Sequence, residues 1–280
     1  MAKKLILSEQ EKALLLEDYQ AGMSLRQLEK KYHHTRQILS KLLRAMEVNI
    51  RDNTINSRKY YHNEDFFHQI NTEEKAYWLG FFYADGFIEA KRQNGNQKFG
   101  ITLKAHDDGH LSKFLEAIEG TNPIKYYKGS GYCENGEYAR VLMTSQKTVD
   151  DLKDKGVVEE KTLKLKFPTT DIVPKELMHH FIRGYFDGDG SLSYWTRNGK
   201  TKESRNYLLG FTGMKDVLYG ILKHFGKTNI VIRPHNNAFE VNIGGNQQLK
   251  TILRNMYNNA HVYLDRKKDI YDEFLKYTKR

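Results

Sequence analysis

Two short stretches of this chain are copies of one another, and they limit what the chain can fold into. Residues 78–86 read WLGFFYADG, and residues 182–190 read IRGYFDGDG. Each copy is apolar and ends in Asp-Gly, a pattern typical of the last turns of a buried helix that a glycine terminates. Small residues four positions apart leave one helix face almost without side chains, so two such helices can approach closely. The matched positions are Gly80 and Gly184, Ala84 and Gly188, Asp85 and Asp189, and Gly86 and Gly190.

Pairing of the two helices places two carboxylates side by side. Asp85 and Asp189 each end a helix, where the partial negative charge of the carbonyls disfavours an acid unless a cation offsets it. Two carboxylates with exposed backbone carbonyls, such as that of Gly188, form a hard oxygen site that suits partly hydrated Mg²⁺ or Mn²⁺. The alternative is that both aspartates merely cap the following turns. The repetition of the pattern favours a metal site at Asp85, Asp189 and Gly188.

The amino-acid composition indicates which class of molecule the chain binds. The 280 residues carry 45 Lys and Arg against 35 Asp and Glu, which gives a formal net charge of +10 and a pI of about 9.3. Such an excess indicates a polyanion, most often nucleic acid, although an ordinary soluble basic protein is the alternative. The single cysteine, Cys133, excludes an intramolecular disulfide framework and a multi-cysteine zinc site. Without a membrane-spanning stretch or signal-peptide core, we expect an intracellular protein of the cytoplasm or nucleoid with no membrane partner.

Residues 1–48 predict a small all-α module. Three short helices follow one another, with Ser8, Ser24 and Thr35 at the positions of their N-caps. A third helix that follows a brief turn is typical of the recognition helix of a helix-turn-helix. The alternative is a three-helix bundle that binds protein or nothing, and residues 49–71 read as a linker. The candidate DNA-binding residues here are Arg36, Gln37, Lys41 and Arg44.

After the linker, one order of elements occurs twice. Helix, two strands, helix, two strands and helix are predicted in residues 72–168 and again in residues 169–280. Details repeat as well, because Gly100 and Thr102 in the first copy correspond to Gly210 and Thr212 in the second. The predicted fold class is therefore α+β, with two pseudo-twofold-related αββαββα half-domains around the paired helices.

The paired motifs resemble those of the LAGLIDADG homing endonucleases, over roughly residues 58–280. The first departs from the family pattern at Tyr83, where the pattern has its earlier acid; the later acid is the metal ligand in the family. The resemblance implies a saddle-shaped monomer that binds double-stranded DNA at a long asymmetric site. It also implies staggered double-strand cuts that promote insertion of the encoding element, as in intron homing. The motif matches are Gly80, Ala84, Asp85 and Gly86, and Gly184, Asp187, Asp189 and Gly190.

The same family places a lysine near each cleavage site, three positions after an apolar residue. Lys161 follows Val158 and Lys267 follows Leu264 at that spacing. The resemblance therefore implies four candidate catalytic residues, Asp85, Asp189, Lys161 and Lys267, of which the lysines polarise phosphate or water. Ordinary surface lysines are the alternative for the last two.

The strand faces directed away from the helices are expected to enter the major groove, where Arg, Lys and Asn side chains read base edges. Two other functions stay open: a non-catalytic DNA-binding transcription regulator on the same fold, and an RNA-splicing maturase. The candidate DNA-binding residues on these faces are Lys91, Arg92, Lys98, Lys104, Arg140, Arg197, Lys202, Arg205, Arg233 and Asn242.

Overall fold

A computed structural model describes residues 8–48, 50, 59–91, 96–129, 136–159, 165–198 and 203–278. The chain divides into two compact units, Met1–Lys59 and Tyr60–Arg280. Each unit has an apolar core of its own. Within the described ranges, no helix is both long enough and apolar enough to cross a membrane.

The described part of the first unit contains three helices: α1 Glu9–Gln20, α2 Leu25–Tyr32 and α3 Arg36–Ala45. Ser8 and Ser24 cap the first two helices through capping boxes with Glu11 and Gln27, as the sequence predicted. Thr35 precedes α3 but makes no side-chain cap hydrogen bond. The amide of Arg36 instead donates to the Glu29 carboxylate at 3.3 Å, so an acid from α2 satisfies the start of α3.

The second unit contains the duplicated order of elements. Its first half comprises α4 Glu73–Ala84, β1 Gly86–Ile88, β2 Lys98–Lys104, a 3₁₀ turn Ala105–Asp107, α5 Asp108–Ala117, β3 Lys125–Lys128, β4 Glu137–Thr144 and α6 Gln146–Asp154. Its second half comprises a 3₁₀ turn Lys175–Leu177, α7 Met178–Asp189, β5 Gly190–Asn198, β6 Glu203–Gly213, α8 Lys215–His224, β7 Arg233–His235, β8 Ala238–Gly244, α9 Asn246–Tyr257 and α10 Asp265–Thr278.

Each half builds one antiparallel four-stranded sheet, and the two sheets have the same strand order. The orders are β1-β2-β4-β3 and β5-β6-β8-β7. One face of each sheet is buried against helices by alternate residues, such as Ile101 in β2 and Phe211 in β6. The opposite, open face carries the residues between them. The repeated topology confirms the predicted pair of αββαββα halves.

Helices α4 and α7 meet at the centre of this unit in backbone contact. A Cβ at Gly80 would overlap the carbonyl oxygen of Phe181, and a Cβ at Gly184 would overlap that of Tyr77. Only glycine permits this approach, which confirms the prediction from the small residues four positions apart. The nine residues from Ala76 to Ala84 are all buried, because α4 lies between the two halves.

A buried ion pair joins the middle of α7 to the N-terminal end of α4. Arg183 of α7 is fully buried and pairs with Glu73 of α4 at 2.7 Å. Its remaining donors reach the backbone carbonyls of Val262 and Met256 at 3.0 and 2.7 Å. The charge is therefore paired and hydrogen-bonded, which a buried arginine requires.

The chain enters this unit through aromatic residues. Phe66 and Phe67 are buried in its core, and the Phe67 ring lies 5.3 Å from that of Phe82. The sequence placed residues 60–71 in the linker, whereas they belong to the second compact unit.

Candidate active site

The two motif aspartates lie where α4 and α7 end. Asp85 directly follows α4, and its amide donates to the carbonyl of Phe81 at 2.9 Å. A Cβ placed on Gly188 would lie 3.2 Å from Oδ2 of Asp85. The carboxylate of one helix therefore lies against the residue that precedes the acid of the other. Asp85 is half-buried and Asp189 is exposed, so a ligand can approach both.

Tyr185 lies near both acids. Burial raises the pKa of its phenol, and the negative charges of Asp189 and Asp85 add to the rise. The phenol donates to the carbonyl of Thr212 at 2.8 Å. This hydrogen bond joins α7 to β6 beside Asp85 and Asp189.

Lys267 of α10 occupies the negative end of α7. Its ammonium donates to the carbonyl oxygens of Phe186 and Gly190, the latter at 2.7 Å, and reaches that of Gly188 at 3.4 Å. Burial lowers the pKa of Lys267 to about 8, while the nearby carboxylates act in the opposite direction. The lysine supplies the cation that a helix C-terminus bearing acids needs. It also contacts the one backbone carbonyl, that of Gly188, predicted as a metal ligand.

Asp187 is fully buried and accepts three hydrogen bonds. The donors are the hydroxyls of Tyr77 and Tyr257, at 2.8 and 2.7 Å, and the amide of Leu264 at 2.8 Å. Burial raises the pKa of Asp187, and the Lys267 charge and these donors oppose the rise. Tyr77 belongs to α4 and Leu264 precedes α10, so this carboxylate joins the two halves and fixes the helix that carries Lys267. Sequence reasoning assigned it no role, although its motif position was the available signal.

The Asp187 network extends to a buried histidine. Nε2 of His110 lies 2.9 Å from the hydroxyl of Tyr77, which itself donates to Asp187. Nε2 must therefore carry the proton, and the other ring nitrogen has no hydrogen-bond partner among the described residues. Burial lowers the pKa of His110 to about 3, so the ring is neutral at physiological pH.

Tyr83 stands in the first motif where Asp187 stands in the second. Its hydroxyl donates to the carbonyl of Lys155 at 2.6 Å, just after α6. The next residue, Gly156, has a φ of +94°, and a Cβ there would overlap the Tyr83 hydroxyl. Tyr83 thus anchors the start of the segment that leads to Lys161, which itself lies outside the described residues.

Two cavities flank the helix ends, one for each acid. The first has a volume of about 440 Å³ and is lined by Asp85, Thr102, Leu103, Lys104, His106, Asp107, Tyr138, Asp187, Leu264 and Arg266. The second has a volume of about 210 Å³ and is lined by Tyr83, Ala84, Leu165, Tyr185, Asp189, Thr212, Gly213, Met214 and Ala238.

No three His, Cys, Asp or Glu side chains of the described residues come together to hold a metal ion by themselves. Any ion here would depend on the two motif carboxylates, on water and on substrate oxygens. Two carboxylates with several waters are a donor set that would suit Mg²⁺.

Comparison with solved structures identifies the fold. The chain is similar to meganuclease I-SmaMI bound to uncleaveable DNA, with a TM-score of 0.51 and 11% identity over 71% of this chain and 88% of that chain. A point mutant of I-SmaMI gives a TM-score of 0.53 and 12% identity over 72% and 89%. This chain has the LAGLIDADG meganuclease fold. Its sequence matches no family model and gives no significant match to a curated protein. In this LAGLIDADG fold, α4 and α7 are the two motif helices.

The first sheet of the LAGLIDADG fold presents a basic open face. Lys98, Lys104 and Arg140 lie on it, as predicted, and Lys91 is exposed just beyond β1. The guanidinium of Arg140 lies 5.2 and 5.1 Å from the ring centres of Phe87 and Tyr127. Its Nε donates to the Thr102 hydroxyl at 2.8 Å. These contacts hold the arginine in one orientation, and the sequence did not predict the two aromatic partners.

The second sheet is less basic where it is described. Asn242 is exposed on the open face opposite Gly210, and Arg233 is exposed opposite Glu240. The side chains of Arg92, Arg197 and Lys202 lie outside the described set.

Arg205 does not lie on the open face that the sequence analysis expected for it. This residue shares a face with buried Tyr207, forms an ion pair with Glu273 and lies 4.6 Å from the ring centre of Tyr194. Helix α10 covers that end of the sheet, so the guanidinium faces a helix and is neutralised there.

The four candidates on α3 of the first unit are all exposed: Arg36, Gln37, Lys41 and Arg44. Arg36 also forms an ion pair with Glu29 at 3.2 Å. Lys41 and Arg44 lie about one turn apart, so they share a side of the helix.

Proposed function

We propose that this protein is a site-specific double-stranded DNA endonuclease that requires Mg²⁺ or Mn²⁺. The observation that carries the proposal is the pair of aspartates at the ends of two helices in backbone contact, Asp85 against Gly188. A binding protein gains nothing from two carboxylates at negative helix ends that face a polyanion. A solved relative by fold is a meganuclease bound to DNA.

The proposed metal ligands are the carboxylates of Asp85 and Asp189 and the carbonyl of Gly188. Mg²⁺ commonly takes one or two carboxylates, keeps several waters and accepts substrate phosphate oxygens, which suits a site open on both sides. Gly188 makes only the longest of the Lys267 contacts, at 3.4 Å, so its oxygen retains capacity for a second partner. When bound, such an ion activates a water and neutralises phosphate charge.

The chain's own residues orient the reaction. In hydrolysis the oxygen of a water bonds to phosphorus while the bond from phosphorus to the leaving sugar oxygen breaks, and a proton passes to that oxygen. Lys267, held on the carbonyls of Phe186 and Gly190, keeps positive potential beside the two acids. Lys161 is the proposed equivalent in the other half, by its position after Val158.

DNA contacts are proposed for both units. The open faces place Lys98, Lys104 and Arg140 in one half and Arg233 and Asn242 in the other, suited to backbone and base-edge contacts in the major groove. Two different halves in one chain fit a long asymmetric site read by a monomer. The exposed residues of α3 add contacts as a helix-turn-helix, and the encoding element would spread by intron homing.

Cleavage of a randomised duplex library tests the endonuclease. The full-length protein is incubated with Mg²⁺, and the new DNA ends are sequenced. We expect discrete staggered cuts that disappear with EDTA and in the Asp85→Asn, Asp189→Asn double variant. The matched control is Asp154→Asn, Asp171→Asn, which removes two exposed acids elsewhere and should cut like the parent. Defined binding without any cut by the parent protein would instead identify a DNA-binding regulator.

Salt-dependent binding tests the helix-turn-helix. Replacing Lys41 and Arg44 with alanine should weaken binding to the selected site and lower the slope of log affinity against log salt by about 2. The cut positions should not move, because the acids are untouched. An unchanged slope would show that α3 makes no phosphate contacts.

A further inference from the structure

The two cavities beside the acids occupy equivalent places but differ in chemistry. Thr102 lines the Asp85 cavity and Thr212 lines the Asp189 cavity. Two residues further along the chain, at equivalent positions, the cavities are lined by Lys104 and Met214. A cation at one cleavage centre thus corresponds to a thioether at the other.

Three additional residues in the first half increase the chemical difference between the two cavities. The 3₁₀ turn Ala105–Asp107 separates β2 from α5, whereas in the second half α8 begins two residues after β6 ends. His106 and Asp107 of this turn line the larger cavity. Asp107 also binds Arg266 of α10 at 3.0 Å, which attaches the start of that helix to the Asp85 side.

Among the described residues that line the larger cavity, pairing leaves Lys104 as the available lysine or arginine. Arg266 is engaged by Asp107, and Asp187 is engaged by three donors. Lys104 is exposed and has no ion pair or hydrogen bond with the described residues. Among described residues the smaller cavity has no cationic lining at all. The sequence extends the contrast, since Arg266, two positions after Leu264, corresponds to Glu160, two positions after Val158.

We propose that Lys104 contacts the scissile phosphate on the Asp85 side and that the two DNA strands are therefore cut in sequence, the strand over the Asp85 cavity first. The inference rests on the proposed endonuclease function. Negative charge on the phosphate oxygens must be stabilised as water attacks and the sugar oxygen leaves. Lys104 would add one cation on the Asp85 side to the lysine proposed for each half, so it lowers the barrier for one strand more than for the other. Lysine is a compact charge on a flexible stem, so an exposed one can reach a phosphate without a preformed partner.

Single-turnover cleavage of the selected site, with each strand labelled in turn, tests the order of cutting. We expect one strand to be cut about tenfold faster than the other, below the 10²–10³-fold effect of a buried, preorganised donor. A nicked duplex should accumulate, with the nick always in the same strand.

Two opposite variants identify the cause. Lys104→Met should slow the faster strand to the rate of the slower one, and Met214→Lys should accelerate the slower strand. Lys98→Met is the matched control, because Lys98 lies on the same strand and open face but lines neither cavity. Since Lys98 is itself a proposed DNA contact, Lys98→Met should weaken binding of the duplex as a whole but leave the ratio of the two strand rates unchanged. Circular dichroism of each variant verifies folding.

The outcomes separate the two proposals. Equal strand rates in the parent protein, or a ratio that neither Lys104→Met nor Met214→Lys alters, would overturn the sequential order while leaving the endonuclease intact. A ratio that Lys98→Met alters as much as Lys104→Met would assign the bias to general charge rather than to this lysine. The absence of any cut in either strand would overturn the endonuclease proposal and this inference together.

Discussion

Replacement of Asp187 by asparagine should destabilise the second unit strongly. The carboxylate accepts from Tyr77, Tyr257 and the amide of Leu264, all within 2.8 Å, and lies beside the buried ammonium of Lys267. Asparagine has the same shape, but one of its two terminal groups is a donor. Three donors then converge on a single acceptor oxygen and an NH₂ group, while Lys267 loses its nearest negative charge.

Two contributions set the magnitude. A buried donor left without an acceptor costs about 1–3 kcal/mol. Removing one partner of a buried charge pair costs about 3–5 kcal/mol, although Lys267, whose pKa is already about 8, can limit this loss by releasing its proton. We therefore expect a loss of about 3–5 kcal/mol, a large share of the roughly 5–15 kcal/mol that stabilises a typical domain.

Tryptophan fluorescence during denaturation by urea at pH 7 measures this loss. The two tryptophans, buried Trp78 and 51%-exposed Trp195, both belong to the second unit, so the signal reports that unit alone. Asp171→Asn is the matched control, because an exposed acid should change the free energy of unfolding by less than about 0.5 kcal/mol. A loss below about 1 kcal/mol for Asp187→Asn would refute the reasoning, since the three hydrogen bonds could not then be formed as described.

Three further predictions concern buried residues of the second unit. Gly184→Ala should cost about 3 kcal/mol, because its Cβ overlaps backbone of the facing helix, whereas Gly109→Ala, which meets open space in α5, should be neutral or slightly stabilising; urea denaturation of both decides. His110, with a pKa of about 3, binds fewer protons in the folded than in the unfolded chain below pH 6.5, so the free energy of unfolding should fall by about 1.4 kcal/mol per pH unit as pH drops from 6.5 towards 4. In His110→Phe that slope should be shallower, and equal slopes would contradict the neutral buried ring. Tyr83→Asp should lower stability more than Tyr83→Phe, because it removes a buried ring and puts a charge in its place, whereas phenylalanine loses only the hydroxyl that donates to Lys155; a melting temperature as high as that of Tyr83→Phe would contradict this.

Local signals made much of the fold predictable from the sequence. The N-cap serines Ser8 and Ser24 indicated where their helices begin, because the side chain of each accepts from an amide three residues away. The close contact of α4 and α7 followed from Gly80 and Gly184, since only a helix face without side chains explains small residues at that spacing. These features depend on neighbours within one turn, which the sequence displays directly.

Features that depend on distant elements were not predictable in the same way. Arg205 alternates in step with the buried Tyr207 and Leu209, so the sequence did indicate its face, whereas its partner Glu273 lies 68 residues away and was not predictable. In α1 three leucines are adjacent, and of these Leu14 is 55% exposed whereas Leu15 is buried. The apolar stripe of α1 is weak, so packing against α2 and α3 decides which side of this helix is buried. The aromatic partners of Arg140 likewise come from two other strands.

The two motifs differ at their earlier acid for a physical reason that only the packing reveals. In the second half the position faces an amide and two hydroxyls, all donors, so a carboxylate satisfies them. In the first half it faces the carbonyl of Lys155, an acceptor, so a phenol hydroxyl is the suitable group and an acid would be repelled. Tyr83 anchors the segment that follows α6, Asp187 anchors the segment between α9 and α10, and each segment leads to one of the two candidate lysines. The side chain at this position therefore anchors a segment in both halves, but it accepts hydrogen bonds in the second half and donates one in the first. The departure of Tyr83 from the motif leaves Asp85, the acid two residues later, in place.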